Sequence, residues 1–114
     1  MLRRFGFAVA LLFTISGGAV AQGDATTDQL ALGRELVEVY CGACHSIEAD
    51  GDSPHAQAPP FRDLHERYDV DWLEEGLVEG LVSGHPDMPE FEFDPDQAQA
   101  IIAYIKSLTP AAAN

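Results

Sequence analysis

Basic residues are scarce in this sequence of 114 residues, in which six lysines and arginines stand against nineteen aspartates and glutamates. The formal net charge of −13 gives a surface that repels phosphate backbones and anionic headgroups, so we expect neither nucleic-acid nor peripheral membrane binding. A partner protein that docks by charge would present a basic face. A second explanation stays open, since net charge also keeps soluble proteins dispersed.

Cysteine is scarce too, with Cys41 and Cys44 as the only two. A disulfide between residues three apart would close too small a loop to stabilise the fold much. A structural zinc site needs four ligands, whereas His55, His65 and His85 lack the paired spacing of such sites. A redox-active cysteine pair is disfavoured because the flanking sequence lacks the alternation of strands.

The two cysteines belong to the pentapeptide CGACH at residues 41–45, which has the spacing of c-type haem attachment. Each thiol can add to one vinyl group of a haem, and a neutral imidazole nitrogen of His45 can then bind the iron. One short segment therefore predicts two covalent bonds and one metal bond to a single haem c.

A long apolar run lies at the N-terminus. Residues 5–20 are almost wholly apolar or small, follow Arg3 and Arg4, and lead to an A-x-A cleavage pattern. We predict a secretory signal peptide over residues 1–21 and a periplasmic location. An uncleaved anchor is the alternative, but the run is shorter than the roughly 20 residues that a spanning helix needs.

Cleavage would leave residues 22–114 as one small domain, with an ordered core over about residues 28–108. Four basic residues would then face nineteen acidic ones, which gives a formal charge of −15. A domain of this size buries only a marginal core, so we expect its folding to depend on the apolar haem. We expect a monomer without stable membrane insertion.

Helical signals lie on both sides of the motif. Thr26 or Thr27 can cap a first helix that runs into Cys41. Its apolar positions recur at helical spacing: Leu32, Leu36, Val39 and Tyr40. Gly33 inside this helix costs roughly 1 kcal/mol relative to alanine, which indicates the close approach of another helix.

The last helix has the clearest boundaries in the sequence. Asp94 can cap it, Pro95 suits its first position, Gln97 can complete a capping box, and Pro110 lies just past its end. Its apolar face consists of Ile101, Ile102, Ile105 and Leu108, with Tyr104 alongside. We expect a helix that presents this face to the core.

The middle of the chain is rich in loops. Residues 46–60 predict a loop that ends in two rigid prolines, and a proline carbonyl there can accept the ring N–H of His45. A short helical turn over residues 61–68 precedes a second helix that we expect to begin at Asp71. The apolar positions of that helix are Trp72, Leu73, Leu77, Val78 and Leu81. Residues 84–91 predict a further loop, which contains Met88.

Methionine is almost absent once the initiator is removed, because Met88 is the one other methionine. It is therefore the only thioether that the mature chain can offer to an iron, although methionine more often fills cores. His85 is the rival ligand and would give a site of lower potential. His55 and His65 lie in polar surroundings and are expected to be exposed.

Residues 28–108 resemble small bacterial class I c-type cytochromes. The resemblance implies an all-α cytochrome c fold, in which three to four short helices and loops wrap around one covalently bound haem. It also implies that the N- and C-terminal helices cross, with Gly33 and Val37 of the first helix against Ile101 and Tyr104 of the last.

The resemblance further implies the roles of the site residues. Cys41 and Cys44 bind the haem, His45 and Met88 bind its iron, and Pro59, with Pro60 as the alternative, accepts the proton of His45. The segment before Met88 is short, so the propionate-binding residues of the family do not transfer. A hydrogen bond from Trp72 or Tyr68 to a propionate and a plain core role both stay open.

An iron with two protein ligands can change oxidation state but is closed to substrates, so we expect no enzymatic activity. The predicted function is a one-electron carrier between a dehydrogenase or quinol-oxidising complex and an oxidase or reductase. The alternative is an accessible iron, as in a small peroxidase-like enzyme or a gas sensor. A dedicated subunit of one enzyme is a variant of the carrier.

Overall fold

The computed structural model describes residues 17–18, 25–80 and 86–110. Within these ranges the chain forms three α-helices and two 3-10 helices. We name the α-helices α1 (Thr27–Tyr40), α2 (Leu73–Glu79) and α3 (Pro95–Ser107), and the 3-10 helices span Phe61–Glu66 and Val70–Trp72. The described residues form no strand, in agreement with the all-α prediction.

The predicted signal peptide at residues 1–21 lies outside the described residues, apart from Gly17 and Gly18. The mature domain predicted over residues 22–114 is described for most of its length. In the part of the chain that the structure describes, no helix is long and apolar enough to cross a bilayer.

Helix α1 begins and ends as its sequence dictates. The Thr26 side chain caps it by accepting a hydrogen bond from the Gln29 N–H at 3.1 Å. At the other end the N–H groups of Cys41 and Gly42 both donate to the carbonyl of Val37, at 2.9 and 2.8 Å. The helix therefore continues directly into the turn that carries the two cysteines.

The buried face of α1 differs from the predicted one. Leu36 is buried as expected, together with Gly33 and Val37. The other three predicted positions are exposed, by 39, 68 and 46 % for Leu32, Val39 and Tyr40 respectively. The reason is that Gly33, the one position that permits backbone contact, sets which side of the helix faces α3.

Helices α1 and α3 cross at Gly33, as the helical glycine predicted. A Cβ atom at this position would lie 2.7 Å from the Ala100 carbonyl carbon and 2.8 Å from the Tyr104 Cβ. No side chain fits between the helices, and this explains a residue that weakens an isolated helix. Tyr104 is part of the contact as expected, and the backbone of Ala100 joins it. Ile101 is buried in the same core cluster as Val37.

Helix α3 supplies much of the core. Asp94 and Gln97 form the predicted capping box, and Pro95 occupies the start of the helix. The buried residues of the helix are Ala98, Ala100, Ile101, Ile102, Tyr104 and Ile105. Leu108 packs against the same core from a partly exposed position.

Helix α2 starts later than predicted. Asp69 accepts the Asp71 N–H at 3.0 Å and caps a 3-10 turn, so the α-helix begins only at Leu73. A 3-10 turn has about 3.0 residues rather than 3.6, and this change of phase turns Trp72 outward. Trp72 is 75 % exposed, so a core role for it is wrong. Tyr68 is 38 % exposed, and partial burial raises its pKa.

Three of the five apolar positions predicted for α2 pack against the core from partly buried positions. They are Leu73, Leu77 and Val78. Leu81, the fifth position, lies outside the described residues. The inner face of α2 therefore follows the predicted pattern from Leu73 onward.

Candidate functional site

The turn after α1 places the two cysteines and the histidine on one side of the chain. The N–H groups of Cys44 and His45 both donate to the carbonyl of Cys41, at 3.1 and 3.0 Å. This is the hydrogen-bonding pattern of a helical turn, in which residues three and four apart are neighbours. The local fold therefore presents two sulfurs and one imidazole together, as covalent attachment of a haem requires.

Both cysteines are free thiols and partly buried. Burial, together with the nearby Cys44, raises the pKa of Cys41 to about 11. Catalytic cysteines of redox pairs have the opposite property, because a lowered pKa supplies their reactive thiolate. The environment of Cys41 thus lacks the lowered thiol pKa that is typical of a redox-active cysteine pair.

The His45 ring is held in one orientation by the loop end. Its Nδ1 lies 2.7 Å from the carbonyl oxygen of Pro59, and its ring centroid lies 4.7 Å from that of Phe61. A carbonyl can only accept, so Nδ1 carries the proton and Nε2 is left with a lone pair for a metal. The sequence allowed Pro59 or Pro60 as the acceptor, and this contact is made by Pro59.

The loop that carries Pro59 is tied back to the residue after His45. The Phe61 N–H donates to the Ser46 carbonyl at 3.0 Å, and the Ser46 N–H donates to the Ser53 hydroxyl at 3.0 Å. Arg62 donates to the Ser46 hydroxyl at 3.2 Å. Residues 46–60 thus form the predicted loop, and these bonds fix the distance between His45 and Pro59.

A polar network that the sequence did not reveal connects the helix crossing to this loop. The Tyr104 hydroxyl donates to the Ile47 carbonyl at 2.8 Å and accepts from Arg34 at 2.9 Å. Arg34 also binds both carboxylate oxygens of Glu48, at 2.6 and 3.1 Å. This hydrogen bond lowers the pKa of Glu48 and raises that of Arg34, while burial raises the pKa of Tyr104.

Met88 lies in the second loop and is partly buried. The residue before it, Asp87, places a carboxylate oxygen 3.5 Å from the Nε2 of His55. His55 in turn donates its backbone N–H to the Cys44 carbonyl at 3.0 Å. The fold therefore brings the Met88 loop to the cysteine turn, and His55 is paired rather than simply exposed. His65 is exposed as predicted, and His85 lies outside the described residues.

An aromatic cluster joins the chain before the motif to the chain after Met88. The Tyr40 ring meets the rings of Phe91 and Phe93 edge to face, with centroids 5.6 and 5.2 Å apart. The Phe93 N–H also donates to the Leu77 carbonyl at 2.8 Å. The alternation Phe-Glu-Phe at residues 91–93 was a signal for this cluster, because residues two apart share one face of an extended segment.

The donor set fits a haem iron better than a hydrated metal ion. Two thiols, a neutral imidazole with a directed Nε2 and a thioether are the groups that attach haem c and bind its iron. In the described part of the chain, no group of three or more histidine, cysteine or acidic side chains could hold a metal ion. Cys41, Cys44 and His45 would hold the haem on one side, and Met88 is the candidate on the other.

Comparison with known proteins gives one match. A family model described as "Cytochrome c" matches residues 30–109. This range includes the pentapeptide at residues 41–45, Pro59 and Met88. Neither the curated proteins nor the solved structures give a match.

Proposed function

Because the chain belongs to the cytochrome c family, we propose that it is a periplasmic one-electron carrier whose haem iron is bound by His45 and Met88. Membership confirms the resemblance to class I c-type cytochromes, the cytochrome c fold and the covalent haem c, for which Cys41 and Cys44 are the only thiols. When bound, the haem supplies a reversible one-electron change at its iron. The residues around it decide what else can reach that iron.

The observation that carries the proposal is the 2.7 Å hydrogen bond between His45 Nδ1 and the Pro59 carbonyl. This bond makes the imidazole a stronger electron donor and holds its plane fixed. A ligand that does not move keeps the rearrangement between oxidation states small. That property suits an electron carrier, which gains or loses an electron without bond chemistry.

Met88 supports the proposal because it is the only methionine besides the initiator. Its segment is connected to the cysteine turn through Asp87 and His55. A thioether from Met88 would raise the reduction potential of the haem. With His45 and Met88 both holding the iron, substrates and gases would be excluded, which would leave electron transfer as the chemistry of the site.

The proposed partner follows from the charge of the domain, and the proposed location follows from the N-terminal segment. An acidic domain of formal charge −15 favours docking on a basic face, and electrostatic attraction speeds a brief encounter. The signal-like residues 1–21 support export to the periplasm. There the carrier would accept electrons from a dehydrogenase or quinol-oxidising complex and deliver them to an oxidase or reductase.

The optical spectrum of the mature holoprotein tests the proposal, recorded in both oxidation states with and without carbon monoxide. We expect a low-spin spectrum with a weak ferric iron–sulfur band and no response to carbon monoxide. A high-spin spectrum, or rapid binding of carbon monoxide, would replace the carrier with an enzyme or a sensor. Copurification with one enzyme would mark the chain as a dedicated subunit.

A further inference from the structure

His55 connects the two loops that carry the candidate iron ligands. Its backbone N–H donates to the Cys44 carbonyl at 3.0 Å, so it is attached to the turn that ends in His45. Its Nε2 lies 3.5 Å from a carboxylate oxygen of Asp87, which immediately precedes Met88. The His55 side chain is 35 % exposed and that of Asp87 65 % exposed. The contact thus lies at the surface, between the two ligand-bearing segments.

The turn after His55 fixes the orientation of the ring. The Gln57 N–H donates to Nδ1 of His55 at 3.2 Å, and the Ala58 N–H donates to the His55 carbonyl at 3.0 Å. Because Nδ1 accepts a hydrogen bond, the proton of the neutral ring lies on Nε2 and is directed toward Asp87. The turn therefore directs the Nε2–H of His55 toward Asp87 without help from the Asp87 carboxylate itself.

The composition of the Met88 segment, residues 86–93, makes a side-chain contact such as that between His55 and Asp87 important for its position. Pro86 and Pro89 have no backbone N–H, so the segment has few groups with which to form regular structure. The Phe93 N–H donates to the Leu77 carbonyl and so holds the chain five residues after Met88. Between Pro86 and Phe93, side-chain contacts therefore carry more of the positioning than they would in a helix.

We propose that His55 and Asp87 are positioning residues that hold the Met88 segment over the iron and so limit the access of external ligands. The inference rests on the proposed ligation by Met88. Neither residue is itself a proposed ligand of the iron. Their effect is on the fraction of time for which the sulfur is displaced, because the contact is made only when the segment lies against the cysteine turn.

The test uses the ferric holoprotein and imidazole as the competing ligand. His55→Ala and Asp87→Ala should each increase the apparent affinity for imidazole about two- to fivefold, the range expected for an exposed pair. The double variant should show no more than the larger single effect, because both changes remove the same contact. The ferric iron–sulfur band should persist without imidazole, which a merely unfolded protein would not show.

Two matched variants and one background complete the experiment. His65→Ala and Asp52→Ala change an exposed histidine and an exposed loop aspartate, and each should leave the imidazole affinity within error. In a Met88→Ala background, the His55 and Asp87 substitutions should have no further effect. Effects equal to those of the controls, or additive effects in the double variant, would overturn the positioning role.

The ligation by Met88 and the positioning role of His55 and Asp87 are tested by different outcomes. If Met88→Ala itself leaves imidazole binding unchanged, the proposed ligation is wrong, and the inference falls with it. If Met88→Ala opens the iron while His55→Ala and Asp87→Ala do not, the ligation stands and only the positioning role is lost.

Discussion

The cysteine turn and the Met88 segment are held in different ways. The turn continues from a capped helix, and its histidine is fixed by the Pro59 carbonyl. The Met88 segment, residues 86–93, contains two prolines. It is held by edge-to-face contacts of its phenylalanines with Tyr40, by one backbone hydrogen bond at Phe93 and by a surface contact at Asp87. The cysteine turn would hold the haem by two covalent bonds and one metal bond, whereas the Met88 segment would contribute a single metal bond, so we call them the permanent side and the replaceable side.

Loss of one cysteine on the permanent side should have the largest effect. In Cys44→Ser one of the two thioether bonds cannot form, so we expect stable haem retention to be weakened or abolished. Denaturing electrophoresis with haem staining measures the covalent fraction. Ala43→Ser provides the control, because it introduces a serine at an exposed position between the two cysteines and should keep the haem. Full retention in Cys44→Ser would contradict the assignment of the site.

Loss of Met88, the proposed ligand on the replaceable side, should leave haem attachment intact. Met88→Ala should keep both thioethers, open the iron to carbon monoxide and lower the reduction potential by on the order of 100 mV, part of the roughly 0.8 V that axial ligation spans. Redox titration and carbon monoxide binding measure the two effects. An unchanged potential together with a closed iron would show that the distal ligand is another residue.

A methyl group at the helix crossing should lower stability without altering ligation. Gly33→Ala places a Cβ against the Ala100 carbonyl and the Tyr104 side chain, which we expect to lower the free energy of unfolding by about 1–3 kcal/mol. In an unobstructed helix this change would raise it by about 1 kcal/mol, so the sign of the effect is decisive. Denaturant unfolding of the holoprotein gives the value, with Glu35→Ala on the exposed face of α1 as the control.

The smallest effect concerns acid sensitivity on the permanent side. Arg34 holds the pKa of Glu48 below its usual value of 4.5 in the folded protein. The pair therefore stabilises the fold above the unfolded pKa, and this contribution is lost as the pH falls through the lower folded pKa. The melting temperature of Glu48→Gln should lie slightly below that of the parent at neutral pH and converge with it in acid. Glu35→Gln should show no such convergence.

Local signals in the sequence predicted the parts of the fold that depend on neighbouring residues. Thr26, Asp94 and Gln97 cap helices because their partners lie three residues away. The glycine at position 33 predicted a close helix contact, since nothing local favours glycine there. The sequence predicted a contact between the His45 ring N–H and a proline carbonyl in this loop. The family resemblance favoured Pro59, with Pro60 as the alternative, and the contact is made by Pro59.

The parts that the sequence did not predict depend on distant partners or on a small change of phase. The bond from Arg34 to Tyr104 joins residues 70 positions apart, and no periodic pattern marks it. The contact between His55 and Asp87 likewise joins two loops that have no pattern of their own. Trp72 was misplaced because Asp69, rather than Asp71, caps the turn, so Trp72 belongs to a 3-10 turn and not to the first turn of the α-helix.

The crossing of α1 and α3 also sets the order in which the protein can be assembled. The buried face of α1 meets a helix that is synthesised almost seventy residues later, so the core cannot close until the chain is nearly complete. A fragment that lacks either end of the domain would leave the remaining helix without the partner that its buried face requires. The two ends of the chain therefore depend on each other for the core, although the haem motif lies close to only one of them.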